Sequence, residues 1–206
     1  MTEFKQAARV AVAPLGARLG RLGIHPNTLS LLGLAFAVLS GLAAAGGYLR
    51  LAVLPLALSG LCDMLDGAVA RAMSAESTFG AALDSTVDRV GEAALLGGLL
   101  LAPLDTPGGP DLLRLVLIVF LVASFLVSYT RARAEGLGLD CRIGLMERPA
   151  RMILTGLILL LGRGALLPGF LLLSLLTVWT VFQRLQHIRT QAGRVAADPP
   201  AREAVP

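Results

Sequence analysis

Aromatic residues make up only 5% of the 206-residue sequence, which holds two histidines, two cysteines and a single lysine, Lys5. Each shortage excludes something. Cys62 and Cys141 lie far apart and stand in no metal-ligand spacing, so neither a disulfide nor a thiolate metal site is expected. With so few aromatics, the helices must be built from Leu, Ala, Val and Gly. The first residues hold no uninterrupted apolar run, so they do not read as a secretory signal. They read as a basic amphipathic helix lying on a membrane surface, broken near Pro14. No internal repeat is visible.

What is present is apolar: 55% of residues are hydrophobic and the mean hydropathy is +0.74. A soluble domain of this length rarely carries so much, so the class is integral membrane, with one compact domain. The 23 glycines suit close helix packing better than loops. The formal charge is +4. In a membrane chain that excess speaks for topology and for anionic lipid or phosphate, not for nucleic acid.

Six apolar segments follow: about 29–49, 51–73, 78–102, 112–132, 150–162 (reaching back toward Glu147) and 165–183. A crossing needs roughly 20 residues, and hydropathy alone would accept three or four of these. The expected fold is all-α integral membrane: six transmembrane helices preceded by the interfacial helix. The expected division is the juxtamembrane helix over 1–24, the six-helix transmembrane domain over 25–190 and a disordered tail over 191–206. Basic residues gather in the N-terminal segment, near Arg71, between Arg131 and Arg151, and in the tail, whereas 103–111 has none. The positive-inside rule then puts both termini in the cytoplasm, in keeping with six crossings.

Four aspartates interrupt this apolar pattern. Asp63 and Asp66 are three apart, Asp84 and Asp88 four apart, so each pair shares a helix face. A turn over Ser74–Ser77 would fold the two helices into a hairpin. Positions 66 and 84 share the midpoint 75, and 63 and 88 share 75.5. All four carboxylates therefore meet, the inner pair ~14 Å along the helices from the turn. Gly67 and Gly80 clear space beside them. Such a group needs positive charge. Arg71 supplies one, and with no histidine nearby the all-oxygen set suits Mg²⁺ or Mn²⁺, up to two ions, with one Asp free to act as base. Simple pairing with arginines to pack helices is the bland alternative, but polar groups at this depth are usually functional. For Arg89 and Glu92 a one-turn ion pair or snorkelling is as good a reading as a site role.

The pattern Asp63-x2-Asp66-Gly67-x2-Ala70-Arg71-x8-Gly80-x3-Asp84-x3-Asp88 resembles the signature of the CDP-alcohol phosphotransferase family at every fixed position. The resemblance implies six transmembrane helices, a dimer, a site open to the cytoplasm, and displacement of CMP from a CDP-linked lipid by an alcohol. It implies that Asp63, Asp66 and Asp84 ligate metal, that Asp88 shares a metal and is the base, and that Gly67, Arg71 and Ser77 contact the CDP moiety. Pro26, Asn27, Thr28 and Leu29 resemble a second family pattern that borders the nucleotide pocket. They are equally a helix start, with Pro turning the chain and Asn or Thr capping.

Arg131, Arg133, Arg148 and Arg151 flank one connection near the carboxylates. Guanidinium forks match phosphate oxygens, so the set suits an acceptor that already bears phosphate. The positive-inside signal alone would also put arginines there. The stretches Ser128-Tyr129, Arg131-Ala132-Arg133-Ala134-Glu135 and Glu147-Arg148-Pro149-x-Arg151 are similar to the family branch that makes phosphatidylinositol phosphate or archaetidylinositol phosphate. Asp88-Arg89 fits that branch better than the Asp-Lys usual in glycerophosphate-using relatives. The implied partners are a CDP-diacylglycerol or ether analogue and an inositol phosphate, with glycerol 3-phosphate as the competing acceptor. A cation-coupled transporter is the remote alternative: its carboxylates would sit at the midplane, among repeats and broken helices that this sequence lacks.

Overall fold

A computed structural model describes residues 2–104 and 109–197. Among them the chain forms seven helices and no strand: α1 Thr2–Arg21, α2 Pro26–Ala45, α3 Leu49–Ala72, α4 Thr78–Leu101, α5 Pro110–Glu135, α6 Arg148–Leu161 and α7 Arg163–Ala197. Four of these, α2, α3, α5 and α7, are long and apolar enough to cross a membrane by length and composition. The other two expected spans, α4 and α6, do not meet that measure of length and composition, for different reasons. α4 carries its charges within the apolar stretch, and the 14 residues of α6 reach only ~21 Å.

Local chemistry sets the helix starts. Pro26 enters α2 in its first turn and the His25 side chain accepts from Asn27 N–H at 3.3 Å. Ser77 caps α4 by accepting from Gly80 N–H at 3.0 Å. Ser74, at φ 50°, turns the chain between α3 and α4, as the Ser74–Ser77 reading requires.

Two expectations about the ends need correction. α1 is not broken at Pro14 but continues through it. Its far half lies against α3, with Gly16 over Ala68 and Gly20 over Val69 and Met73, and that packing outweighs one lost backbone bond. The tail assigned to 191–206 is helical as far as Ala197. Gln191 is held there by two bonds to the Asp140 backbone, 3.2 and 2.6 Å. Residues 198–206 lie outside the described residues.

α3 and α4 each pack on α2, α1 on α3, α5 on α7, and α6 bridges α3 and α7. At the end away from the aspartates these groups share one apolar core, including Leu56, Leu96, Leu99, Leu117, Phe120 and Phe170, with the Phe120 and Phe170 rings 5.6 Å apart. Outward faces are apolar as well: Leu31, Leu54, Ile118, Val122, Leu172 and Trp179 are exposed. A chain apolar both inside and out is built for lipid. Cys62 and Cys141 are both free and buried.

Candidate active site

The turn between α3 and α4 brings three of the four aspartates into one group, and Asp88 joins them as a wall of the same cavity. Asp63, Asp66 and Asp84 each offer a carboxylate oxygen within 4.8 Å of the others. With Asp88 they line a small cavity of about 30 Å³ whose walls include Ser30, Ser59, Glu92 and Arg148. Asp66 is buried and accepts from Ser30 Oγ at 2.7 Å. The guanidinium of Arg148 spans the hairpin: Nη1 is 3.0 Å from Asp63 and Nη2 is 2.7 Å from Asp88. Its buried Nε has no partner among the described residues.

Other predicted residues meet one another in two places. A side chain on Gly67 would meet Arg71 Nη1 at 3.3 Å, so the Arg71 guanidinium folds back over Gly67. Asn27 Oδ1 lies against Gly80. The start of α2 is thereby joined to the Ser77 cap of α4. Pro26 and Leu29 are buried under this junction and Thr28 is exposed.

The four arginines do not form one cluster, and that expectation is corrected. Arg148 alone reaches the carboxylates. Arg131 pairs with Glu135 one turn on, at 2.9 Å, and is exposed; Arg133 is exposed on the same helix end. Arg151 is 1% exposed and spends its donors elsewhere. Its Nε and Nη2 each bond Glu92 at 2.9 Å, and its Nη1 bonds the Met146 carbonyl at 3.0 Å. Glu92 takes the ion-pair role, though across helices and not along its own. Arg89 bonds the Ser85 carbonyl, one turn back.

Ser30 and Arg184 escaped the sequence reading. Ser30 gave a weak signal, a small polar residue one turn after Pro26. Arg184 is 2% exposed and donates to the Ile143 and Val127 carbonyls, pinning the α5–α6 connection to α7. Thr180 receives the Met146 N–H at 3.1 Å on the same face. Gly144, at φ 120°, comes so close to Thr180 that any side chain would collide.

Four aspartates, one buried and three half-buried, answered by a guanidinium and facing a cavity between α3 and α4, match a known design over most of the chain. Residues 23–184 fit the family model for CDP-alcohol phosphatidyltransferase. The chain belongs to that family. It is thus a transferase of phospholipid biosynthesis, with membrane helices and a metal-binding aspartate cluster. Phosphatidylinositol phosphate synthase of Mycobacteroides abscessus is 37% identical over 87% of this chain and 84% of its own. Archaetidylinositol phosphate synthase of Methanothermobacter thermautotrophicus is 34% identical over 75% of this chain and 74% of its own. A crystal structure of Mycobacterium tuberculosis phosphatidylinositol phosphate synthase with CDP-DAG bound superposes with TM-score 0.76 and 31% identity, covering 95% of this chain and 98% of that one. The same enzyme in complex with manganese and citrate also gives TM-score 0.76.

Proposed function

We propose that this transferase moves the phosphatidyl or archaetidyl group of a CDP-linked lipid onto an inositol phosphate, forming phosphatidylinositol phosphate or its ether counterpart and releasing CMP. The observation that carries this reading is Arg148. One arginine fork stands on the catalytic carboxylates at 3.0 and 2.7 Å, and turning that fork from Asp63 and Asp88 onto an acceptor's phosphate would hold the phosphate beside its reacting hydroxyl. The inositol-phosphate relatives named above support the acceptor class.

The donor set fits a divalent cation. Hard carboxylate oxygens from Asp63, Asp66 and Asp84 converge, and a guanidinium is already drawn to Asp63 and Asp88. These four aspartates would hold Mg²⁺ or Mn²⁺, in the two-ion arrangement if both sites fill. Bound metal would supply charge neutralisation for the pyrophosphate and its leaving CMP. The chain's own residues do the rest. Asp88 takes the proton of the attacking hydroxyl. The new bond joins the acceptor oxygen to the lipid-bearing phosphorus, and the bond from that phosphorus to the CMP oxygen breaks. Arg71, Gly67 and Ser77, with Pro26, Asn27, Thr28 and Leu29, hold the CDP moiety. Arg148, helped by Arg131 and Arg133 at the end of α5, binds the acceptor phosphate. Arg151, saturated by Glu92 and Met146, is left out of that set. Six crossings, counting α4 and α6, with both termini and the site cytoplasmic and two copies associating as a dimer, complete the reading; α1 lies along the interface.

The test is CMP release by protein purified in detergent with CDP-diacylglycerol and Mg²⁺. Inositol phosphate and glycerol 3-phosphate are offered separately. Release with inositol phosphate alone is expected. Release with glycerol 3-phosphate alone would keep the chemistry and overturn the acceptor.

A further inference from the structure

Glu92 and Arg151 lie one turn beyond Asp88 and Arg148, on the same two helices. α4 and α6 are thereby joined by two stacked rungs. The upper rung is Asp88–Arg148 at 2.7 Å; the lower is the two-pronged Glu92–Arg151 pair at 2.9 Å in both prongs. Positions 88 to 92 span about 6 Å of helix and 148 to 151 about 4.5 Å, so the rungs run parallel. The lower rung is buried far more deeply on its arginine side, with side-chain exposures of 1% for Arg151 and 19% for Arg148. It also grips the loop: Arg151 Nη1 holds the Met146 carbonyl at 3.0 Å and its backbone N–H holds the Glu147 carbonyl at 3.1 Å. The first turn of α6, which carries Arg148, is therefore fixed from below to the helix that carries the base.

We propose that Glu92 and Arg151 are positioning residues for the acceptor, acting through Arg148. The proposal rests on the assignment of Arg148 to the acceptor phosphate. An incoming phosphate must draw the Arg148 fork off Asp63 and Asp88, which opens the upper rung. The lower rung makes no contact that the phosphate competes for. It stays closed, and Arg148 keeps its height relative to Asp88 while its side chain changes partner. Glu92 reaches the cavity wall but its two oxygens are both taken by Arg151. Nothing in this arrangement touches Gly67, Arg71 or Ser77, so the pair sets affinity for one substrate and not the other.

The experiment measures binding by calorimetry on detergent-purified full-length protein with Mn²⁺. Inositol phosphate, glycerol 3-phosphate and CDP-diacylglycerol are titrated separately. Glu92→Gln/Arg151→Met removes both charges together and so leaves no unpaired buried ion. It is expected to weaken the phosphorylated alcohol by about tenfold or more, the scale of a displaced contact group, and to leave CDP-diacylglycerol within about threefold. Glu92→Asp, which keeps the charge, is expected to recover part of the loss. Equal weakening of both substrates with a lowered melting temperature would show a merely structural pair and overturn the proposal. Unchanged binding of both would overturn it too. If glycerol 3-phosphate binds and inositol phosphate does not, the acceptor assignment fails, and the split is read on glycerol 3-phosphate instead.

Discussion

Adding one methyl group at Gly98 should disable the enzyme, while adding one at its neighbour Gly97 should not. α2 and α4 touch backbone to backbone. A Cβ on Gly98 would lie 2.6 Å from the Gly41 carbonyl carbon and 2.8 Å from its Cα, where ordinary contacts are 3.4–4 Å. Neither atom can rotate away. Relief requires α4 to move off α2 by about 1 Å, with an overpacking cost of about 1–3 kcal/mol. Gly98 is ten residues, ~15 Å, from Asp88 on the same rigid helix, so the shift is felt at the carboxylates. A displacement of ~1 Å at reacting groups costs up to ~10²-fold in rate, and some is absorbed as tilt; CMP release should fall between about 10- and 10²-fold. A Cβ on Gly97 has nothing within 4 Å. Gly97→Ala should therefore keep wild-type activity and gain a little helix stability, up to ~1 kcal/mol. The assay pairs CMP release with thermal unfolding in detergent for both variants. Gly98→Ala with the stability and rate of Gly97→Ala would refute the close α2–α4 contact and the rigid placement of the site argued from it.

Ser30→Ala removes the bond to Asp66 and should weaken Mn²⁺ binding about 10- to 100-fold with little change in fold, read by metal titration. Asp88→Asn removes the base and should cut CMP release by at least ~10²-fold while CDP-diacylglycerol still binds; near-normal turnover would assign the base elsewhere. Cys141 lies in the α5–α6 connection, where burial first of all holds its thiol pKa above the usual 9.0. It should resist maleimide at pH 8 until the protein is unfolded. Its contribution to stability is complete below the unfolded thiol's pKa and is lost as pH rises through the higher folded value, which a melting series from pH 7 to 11 would show.

The hairpin was legible because its information is local. Two carboxylate pairs at helical spacing and a turn between them fix one register, and Asp63, Asp66 and Asp84 converge accordingly. Helix positions were legible for a similar reason, since apolar runs, Pro26 and the Ser74–Ser77 turn mark their ends. Long-range pairing was not. Arg151 and Arg148 look alike in sequence, and only the fold reveals that Glu92, 59 residues away, claims Arg151. Pro14 looked like a breaker because its packing partners, Ala68, Val69 and Met73 beneath the α1 glycines, lie on another helix. The α7 extension looked like a tail because polar composition does not show that Gln191 clasps Asp140.

The most direct test of the central claim is CMP release from CDP-diacylglycerol with inositol phosphate or free inositol as acceptor, each with Mg²⁺ and with a chelator. Release with the phosphate form only, abolished by chelation and restored by added Mg²⁺ or Mn²⁺, is the predicted result. Release with free inositol but not its phosphate would contradict the role given to Arg148, and release in the chelator would contradict the role given to the four aspartates.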